Sequence, residues 1–501
     1  MKPDFQRLHP LTIVIEAWRA VSRFLIIILF FGFQAMTNRG PIDTSELIFG
    51  GVGLLVVASA LVRYFTYSFA IYNGSLLVKE GLITKKDRTI PLARIQNINL
   101  KRDLIHRIVG LVDLEIETAG GGKAEATLSA VTEEQAHVLK QKLMGRFDPL
   151  SSPLIEARRE EVIYKATTRE LLIAGATENR LLIMVASIFG IVSAAPGFME
   201  TFTTWVERAI KGAAQQAGRS PSDWTLWIVL GLIALLVGWL ASIVMTFVSY
   251  WGFELAWKDG SFRRQYGLLN HFENVVPAKR IQTARFTSNF MQRWFNVGKL
   301  YLDTAGSFSQ QGDGEGRQSA RPTPLMAPLI SLQGAMKILD RVFDGLALDD
   351  SKWVNPPPRM IGRWTFSVWP LALVLGGVTA FFFKFWGIPA FLGIFAVTAL
   401  YAWWTRPRMG WQDDGVRIIV MRGRLWRTLQ VAPIQKLQLA EVTQSPAQRR
   451  FGLASVKVCT AGSAADANLY IQDVPTETAR SLAWDLHRRS GLNAWQNPDG
   501  F

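Results

Sequence analysis

The chain of 501 residues has one cysteine, Cys459, and five histidines, at positions 9, 106, 137, 271 and 487. A single thiol cannot close an intramolecular disulfide, which fits a reducing compartment. The histidines lack metal-ligand spacing, so no metal site is expected. The motifs G-x-x-x-x-G-K-[ST], H-E-x-x-H, G-x-S-x-G and C-x-x-C are all missing. Neither a catalytic centre nor a cofactor is therefore expected, and an enzyme acting on a membrane lipid lacks an evident nucleophile. Glycines 312, 314 and 316 lie between SFSQQ and RQSARPTP, the composition of a disordered loop rather than a phosphate cradle.

Charge is scarce as well. Only 19% of residues are charged, yet the formal net charge is +15. Such an excess of base suits an anionic partner, a membrane surface before nucleic acid, because nucleic-acid binders seldom carry spans. Long stretches hold no charge at all: Trp224 to Trp251, Trp364 to Phe383, Phe385 to Trp404, Leu181 to Met199 and Leu47 to Val62. About 20 apolar residues span a bilayer as helix. The shorter block Phe24 to Thr37 is extended by Arg19 and Arg23, whose side chains can snorkel. It reads as a retained anchor, since acidic residues precede it and an A-x-A cleavage site does not.

Six transmembrane helices in three hairpins follow: 24–38 with 47–66, 181–199 with 224–250, and 364–383 with 386–404. Of the 55 Lys and Arg residues, fifty lie outside the three hairpin loops. That bias places both termini and all soluble parts in the cytoplasm, on the inner face of the cell membrane. The tryptophans at 205, 224, 251, 364, 403 and 404 match interfacial belts. No span carries an internal acid or base, so a transporter or channel built from the six spans, the alternative reading, lacks an obvious ion carrier. Gly376 and Gly377 fit helix packing rather than gating.

The soluble parts repeat. Pro91 to Gly120 aligns without gaps with Pro277 to Gly306 and with Pro433 to Gly462, at offsets of 186 and 342. Gly81, Gly267 and Gly423 hold the same offsets upstream, between two strand-like runs where a hairpin turn is needed. The stretches VDLEIET, KLYLDT and SVKVCT alternate apolar and polar residues, as half-buried antiparallel strands do. Each ends in Thr-Ala-Gly, with Thr118, Thr304 and Thr460. A capping box at Thr132 to Gln135 opens a helix through about Gly145, with parallels near Thr476 and Ser331. The second copy has Asn296 where the others have Gly110 and Gly452, and it carries an insertion.

The thrice-repeated pattern Pro-x-x-[Arg/Lys]-[Ile/Leu]-Gln followed by Thr-Ala-Gly resembles the bacterial membrane-flanked domain, also called the bacterial pleckstrin-homology-like domain, type two. The layout is similar to its YdbS/YdbT-like members, as is the lead-in Arg7 to Leu11. This resemblance implies an α+β membrane protein in which three pleckstrin-homology-like antiparallel β domains, each closed by a C-terminal helix, alternate with the hairpins. The expected division is an N-terminal segment and hairpin at 1–66, domain 1 at 67–150, a linker at 151–180 and a hairpin at 181–250. Domain 2 follows at 251–346 with a disordered insertion at 307–325, then a linker at 347–363 and a hairpin at 364–405. Domain 3 occupies 406–491, ahead of a tail at 492–501.

The recurring basic residues Arg94, Arg280 and Lys436, and Arg107, Arg293 and Arg449, are the candidate ligand positions, since such cations suit phosphate headgroups. Flanking charge at Lys85, Lys86, Arg88, Lys101 and Arg102, and at Arg422, Arg424, Arg427 and Arg450, adds to them. Gln96, Gln282 and Gln438 recur as residues of the fold. The expected function is a non-enzymatic scaffold that binds anionic lipid headgroups, a protein partner, or both. A small membrane protein with the same domain is one such partner, and the resemblance suggests a role in envelope stress or antimicrobial resistance.

Overall fold

A computed structural model describes residues 5–7, 9–12, 64–81, 85–118, 126–143, 160–178, 224–304, 325–346, 348–460 and 468–491, with a few positions between 204 and 215. The expected spans 24–38 and 181–199, and 47–66 except its last three residues, lie outside these.

Each copy builds two small antiparallel sheets. In the first, β1 (Gln6–Arg7), β2 (Ser68–Tyr72), β3 (Ser75–Glu80) and β4 (Lys86–Pro91) form one sheet. A 3-10 turn at Leu92–Arg94 leads to β5 (Ile95–Arg102), α1 (Leu104–Val109), β6 (Leu111–Thr118), β7 (Ala126–Thr132) and α2 (Glu133–Leu143). The two sheets close over a dry core that includes Phe69, Leu76, Ile98, Leu114 and Leu128. Each such aliphatic or aromatic side chain contributes about 1.5–3 kcal/mol when fully buried.

The second copy repeats this order. It comprises β8 (Glu161–Lys165), α3 (Thr168–Thr177), α4 (Trp224–Tyr250), β9 (Glu254–Lys258), β10 (Ser261–Tyr266), β11 (His271–Pro277), β12 (Ile281–Ser288), α5 (Phe290–Trp294), β13 (Val297–Thr304), β14 (Leu325–Ser331) and α6 (Leu332–Asp340). The third has α7 (Arg359–Ser367), α8 (Trp369–Phe383), α9 (Gly387–Thr405), β15 (Gly410–Asp413), β16 (Arg417–Arg422), β17 (Arg427–Pro433), β18 (Leu437–Thr443), α10 (Pro446–Arg450), β19 (Leu453–Thr460), β20 (Leu469–Pro475) and α11 (Thr476–Arg489). The helices expected after Thr132, Ser331 and Thr476 are α2, α6 and α11.

Three boundaries shift. The segment 151–180, expected as a linker, supplies β8 and α3, and β8 joins the sheet of copy 2 through β9. The insertion stops short of Leu325, which opens β14. The linker 347–363 likewise holds most of the approach to α8: Val354 bridges Trp411 of β15, and α7 begins at Arg359. In every copy, therefore, a short extended segment ahead of the expected hairpin pairs with the first strand after it.

The turns explain the recurring glycines. Gly81, Gly267 and Gly423 all have positive φ (95°, 110° and 73°), and a Cβ at Gly267 would strike the carbonyl of Asn270. Asn296 adopts φ 52°, beside 72° at Gly110 and 64° at Gly452, so asparagine meets the same left-handed requirement.

Trp369–Arg408 is the one helical stretch among the described residues long and apolar enough to cross a membrane, with mean hydropathy 1.8; Leu235–Tyr250, within α4, is a shorter apolar stretch. The stretch folds back on itself at Lys384, where φ is 46°, to give α8 packed on α9. Gly376 and Gly387 make that crossing tight: a Cβ on Gly376 would lie 3.0 Å from the Cβ of Phe391. The packing role expected for Gly376 is thus visible, whereas a Cβ on Gly377 would meet nothing.

Candidate functional site

The three copies are not beads on a string. The second sheet of copy 1 and the first sheet of copy 2 are one seven-stranded sheet, ordered β7-β6-β5-β11-β10-β9-β8. Copies 2 and 3 share a six-stranded sheet, β14-β13-β12-β17-β16-β15. At the first junction Arg102 lies opposite His271, Lys101 opposite Phe272 and Leu100 opposite Glu273. At the second, Ser288 faces Arg427, Thr287 faces Thr428 and Arg285 faces Gln430. Subtracting the repeat offsets turns both into one register, position 102 against 85 and 101 against 86. Backbone pairing of this kind makes each domain the edge cover of its neighbour.

Three of the six recurring basic residues reach across these junctions. Arg107 Nη1 donates to the carbonyl of Leu268, 2.7 Å away in copy 2. Arg293, its equivalent, donates to the carbonyl of Arg424 in copy 3. Leu268 and Arg424 each follow the recurring turn glycine, so the clamp is the same clamp made twice. Lys436, at the end of the 3-10 turn Ile434–Lys436, donates backwards to the carbonyl of Ile281 in copy 2, and burial lowers its proton affinity. Arg280 ends the matching turn of copy 2 and is half-buried. Arg94 and Arg449 are exposed.

Two basic clusters result. The first surrounds a cleft of about 330 Å³ lined by Arg102, Arg107, Gln265, Leu268, His271 and Trp251, the last just beyond α4. Arg102 also reaches Glu133 at 2.7 Å. Burial, then the adjacent Arg102, holds His271 below the ordinary histidine pKa. At the second junction Arg424 donates to the carbonyl of Trp404, 2.6 Å away, and its guanidinium lies 3.9 Å over the Trp404 ring. Burial, then the like charges of Arg408 and Arg293, lower the proton affinity of Arg424. Three arginines therefore gather at the end of α9.

A second set of polar contacts ties domains 2 and 3 to the helix ahead of the expected span, and its counterpart in copy 1 lies within the domain. Lys299 of β13 pairs with Glu178, the residue that ends α3, and Thr246 of α4 donates to Glu178 at 3.2 Å. In copy 3 the fully buried Asp473 accepts from Arg363, from Trp364 Nε1 at 3.0 Å and from Gln448 Nε2 at 3.0 Å. Arg363 and Trp364 belong to α7. In copy 1 the buried His106 lies 3.0 Å from Asp113, which also accepts from the amide of Ala130. Sequence reasoning missed this layer. Position 113 recurs as Asp113, Lys299 and Ser455, and no residue type repeats there.

The remaining recurrent residues differ in their surroundings. Gln282 is buried and donates to the carbonyl of Arg280 at 3.3 Å, whereas Gln438 is exposed; the Gln96 side chain lies outside the described residues. Thr118 and Thr460 are buried at strand ends, and Thr304 is half-buried. Cys459 is half-buried in β19, and burial pushes its thiol up. Among the described residues no group of three His, Cys, Asp or Glu side chains is placed to hold a metal.

The profile described as "Bacterial PH domain" matches residues 21–146, 204–344 and 370–490, well over half of the chain. The chain belongs to the bacterial PH domain family. It is a membrane protein with three copies of that domain, and each match begins within or beside an expected hairpin. The chain is also 23% identical over 520 residues to the UPF0699 transmembrane protein YdbT of Bacillus subtilis (strain 168), covering 98% of this chain and all of that protein. No solved structure matches it significantly. Among bacterial PH domains on one chain, then, sheet pairing and arginine clamps fix the domains to each other.

Proposed function

We propose that this protein is a non-enzymatic, membrane-anchored scaffold whose junction clusters hold anionic lipid headgroups. The observation that carries this reading is the cluster of Arg293, Arg408 and Arg424 against Trp404. After burial, the charges that act on Arg424 among the described residues are the like ones of Arg408 and Arg293. It sits where α9 ends, at the level a headgroup occupies if α8 and α9 cross the bilayer. Arginine forks bind phosphate in bidentate fashion, and an indole beside them suits the interface. The six-span topology with cytoplasmic termini belongs to the same proposal and is supported by the placement of fifty of the 55 basic residues outside the hairpin loops. The paired segments before and after each hairpin agree, since both ends of each helical excursion return to one sheet.

The test uses the full chain in nanodiscs of phosphatidylcholine with a minor fraction of phosphatidylglycerol. The R408A/R424A variant is expected to retain less phosphatidylglycerol by native mass spectrometry, by on the order of 10- to 30-fold, since each basic contact contributes about 1 kcal/mol. Equal retention by parent and variant overturns the headgroup reading.

A further inference from the structure

We propose that copies of this chain associate head to tail by sheet continuation, the β18 edge of one chain docking on the β4 edge of the next. Both internal junctions join the strand after the 3-10 turn of one copy to the strand before the 3-10 turn of the next, in one register. Three domains make two such junctions and leave one edge of each kind over. Among the described residues those are β4, the end strand of the first sheet, and β18, the end strand of the last.

Burial follows the same logic. The outer residues 86–89 of β4 are exposed, their equivalents 272–275 in β11 are half-buried, and 429–431 in β17 are buried. On the other edge Thr283 of β12 is 1% exposed, whereas Leu439 at the same repeat position in β18 is 43% exposed. A leucine stands in the open where the covered copy has threonine. Edge strands left bare with apolar side chains are pairing sites.

The clamps are present at both open ends. Arg449 occupies the position from which Arg107 and Arg293 grip the next domain, and Arg94 the position from which Lys436 grips the preceding one. Both are exposed. Charge fits as well. The shared register carried across two chains sets Glu441 opposite Arg88 of the partner subunit, and Gln444 opposite Lys85 of the partner subunit. The same position is polar at each internal junction, with Arg285 opposite Gln430 and Asn274 bonding Asn99 at 3.1 Å. Glu441 now makes a 3.7 Å contact with Lys457 and Arg88 a 3.2 Å contact with Glu80, exposed pairs that exchange at little cost. The two edges differ, so the contact is heterologous and closes into a ring or runs on as a filament. It does not depend on the headgroup reading.

The experiment uses full-length chains on a C459S background, one carrying E441C and a second, differently tagged, carrying R88C. Mixed in neutral phosphatidylcholine nanodiscs or co-expressed, they are expected to form a reducible cross-linked dimer joining the two tags. E441C mixed with D87C, one residue out of register, is expected to cross-link far less. Separately, E441R should weaken self-association by on the order of fivefold, and the E441R/R88E double variant should restore it, because like charges directly opposite destabilise a strand pair and opposite charges support it. Asp87, Arg88 and Glu441 are exposed and serine is close to isosteric with the half-buried Cys459, so the variants fold. Absence of the in-register cross-link, or equal cross-linking out of register, overturns the proposal. So does a chain that stays monomeric at all concentrations while another protein occupies the Arg88 edge.

Discussion

Copies 2 and 3 solve one mechanical problem with opposite charges. In copy 2 the domain supplies the cation, Lys299, and the pre-span helix the anion, Glu178. In copy 3 the domain supplies the anion, Asp473, and the pre-span helix the cation, Arg363. Both locks are buried and both add neutral donors, Thr246 in one and Trp364 and Gln448 in the other. What is retained is the tie between domain and helix; which side bears which sign is free. A helix so tied moves with its domain, and any force on the domain reaches the adjoining helices through it.

The comparison breaks most readily at Asp473. Replacing it with Ala strands a buried guanidinium and removes the acceptor of two further donors, so the unfolding free energy in detergent should fall by about 3–5 kcal/mol. Lys299→Ala should cost somewhat less, about 3 kcal/mol, because Glu178 keeps its bond from Thr246. Sharper is the K299M/E178Q double variant. Removing both charges should bring the melting transition back to within about 1–2 kcal/mol of the parent, whereas two independent losses would add. The smallest effect is expected at His271. Its folded pKa lies below the ordinary 6.5, so the unfolded chain binds the proton first as pH falls. The stability it contributes is complete above the ordinary value and declines as pH drops through the window below it. Melting at about pH 7.5 and about pH 5.5 should show this decline in the parent and less of it in H271Q.

Much of the fold was legible because it is local. Alternation in SVKVCT and its equivalents, the turn glycines and the helix starts at Thr132 and Thr476 all act within a few residues. Local signals were also overlooked: Asn73-Gly74 and Asp259-Gly260 have both φ angles positive, the two-residue hairpin turn, and stood in the sequence unread. The junctions were not legible. A strand edge carries no mark of its partner when that partner lies some 170 residues away, as Arg102 does from His271. For the same reason Arg107 and Arg293 read as ligand positions. Recurrence marks a shared demand on a residue, and a neighbouring carbonyl makes the same demand as a phosphate oxygen. The locks escaped for the reverse reason, since swapping the signs erased the recurrence. The short β8 and the single bridge at Val354 escaped because they are too brief to show a period.

Those brief segments matter beyond their size. Glu161–Lys165 must wait for Glu254–Lys258, about 90 residues later, before it can pair. At ordinary synthesis rates that is on the order of 5–20 s during which the nascent strand has no mate. On the proposed topology the segment between them must leave and come back to the same side before the sheet can knit, so a hairpin that fails to return leaves β8 and β9 apart for good. On that topology the sheet serves as a proofreading step for insertion: a folded domain certifies that the chain before it crossed the membrane an even number of times.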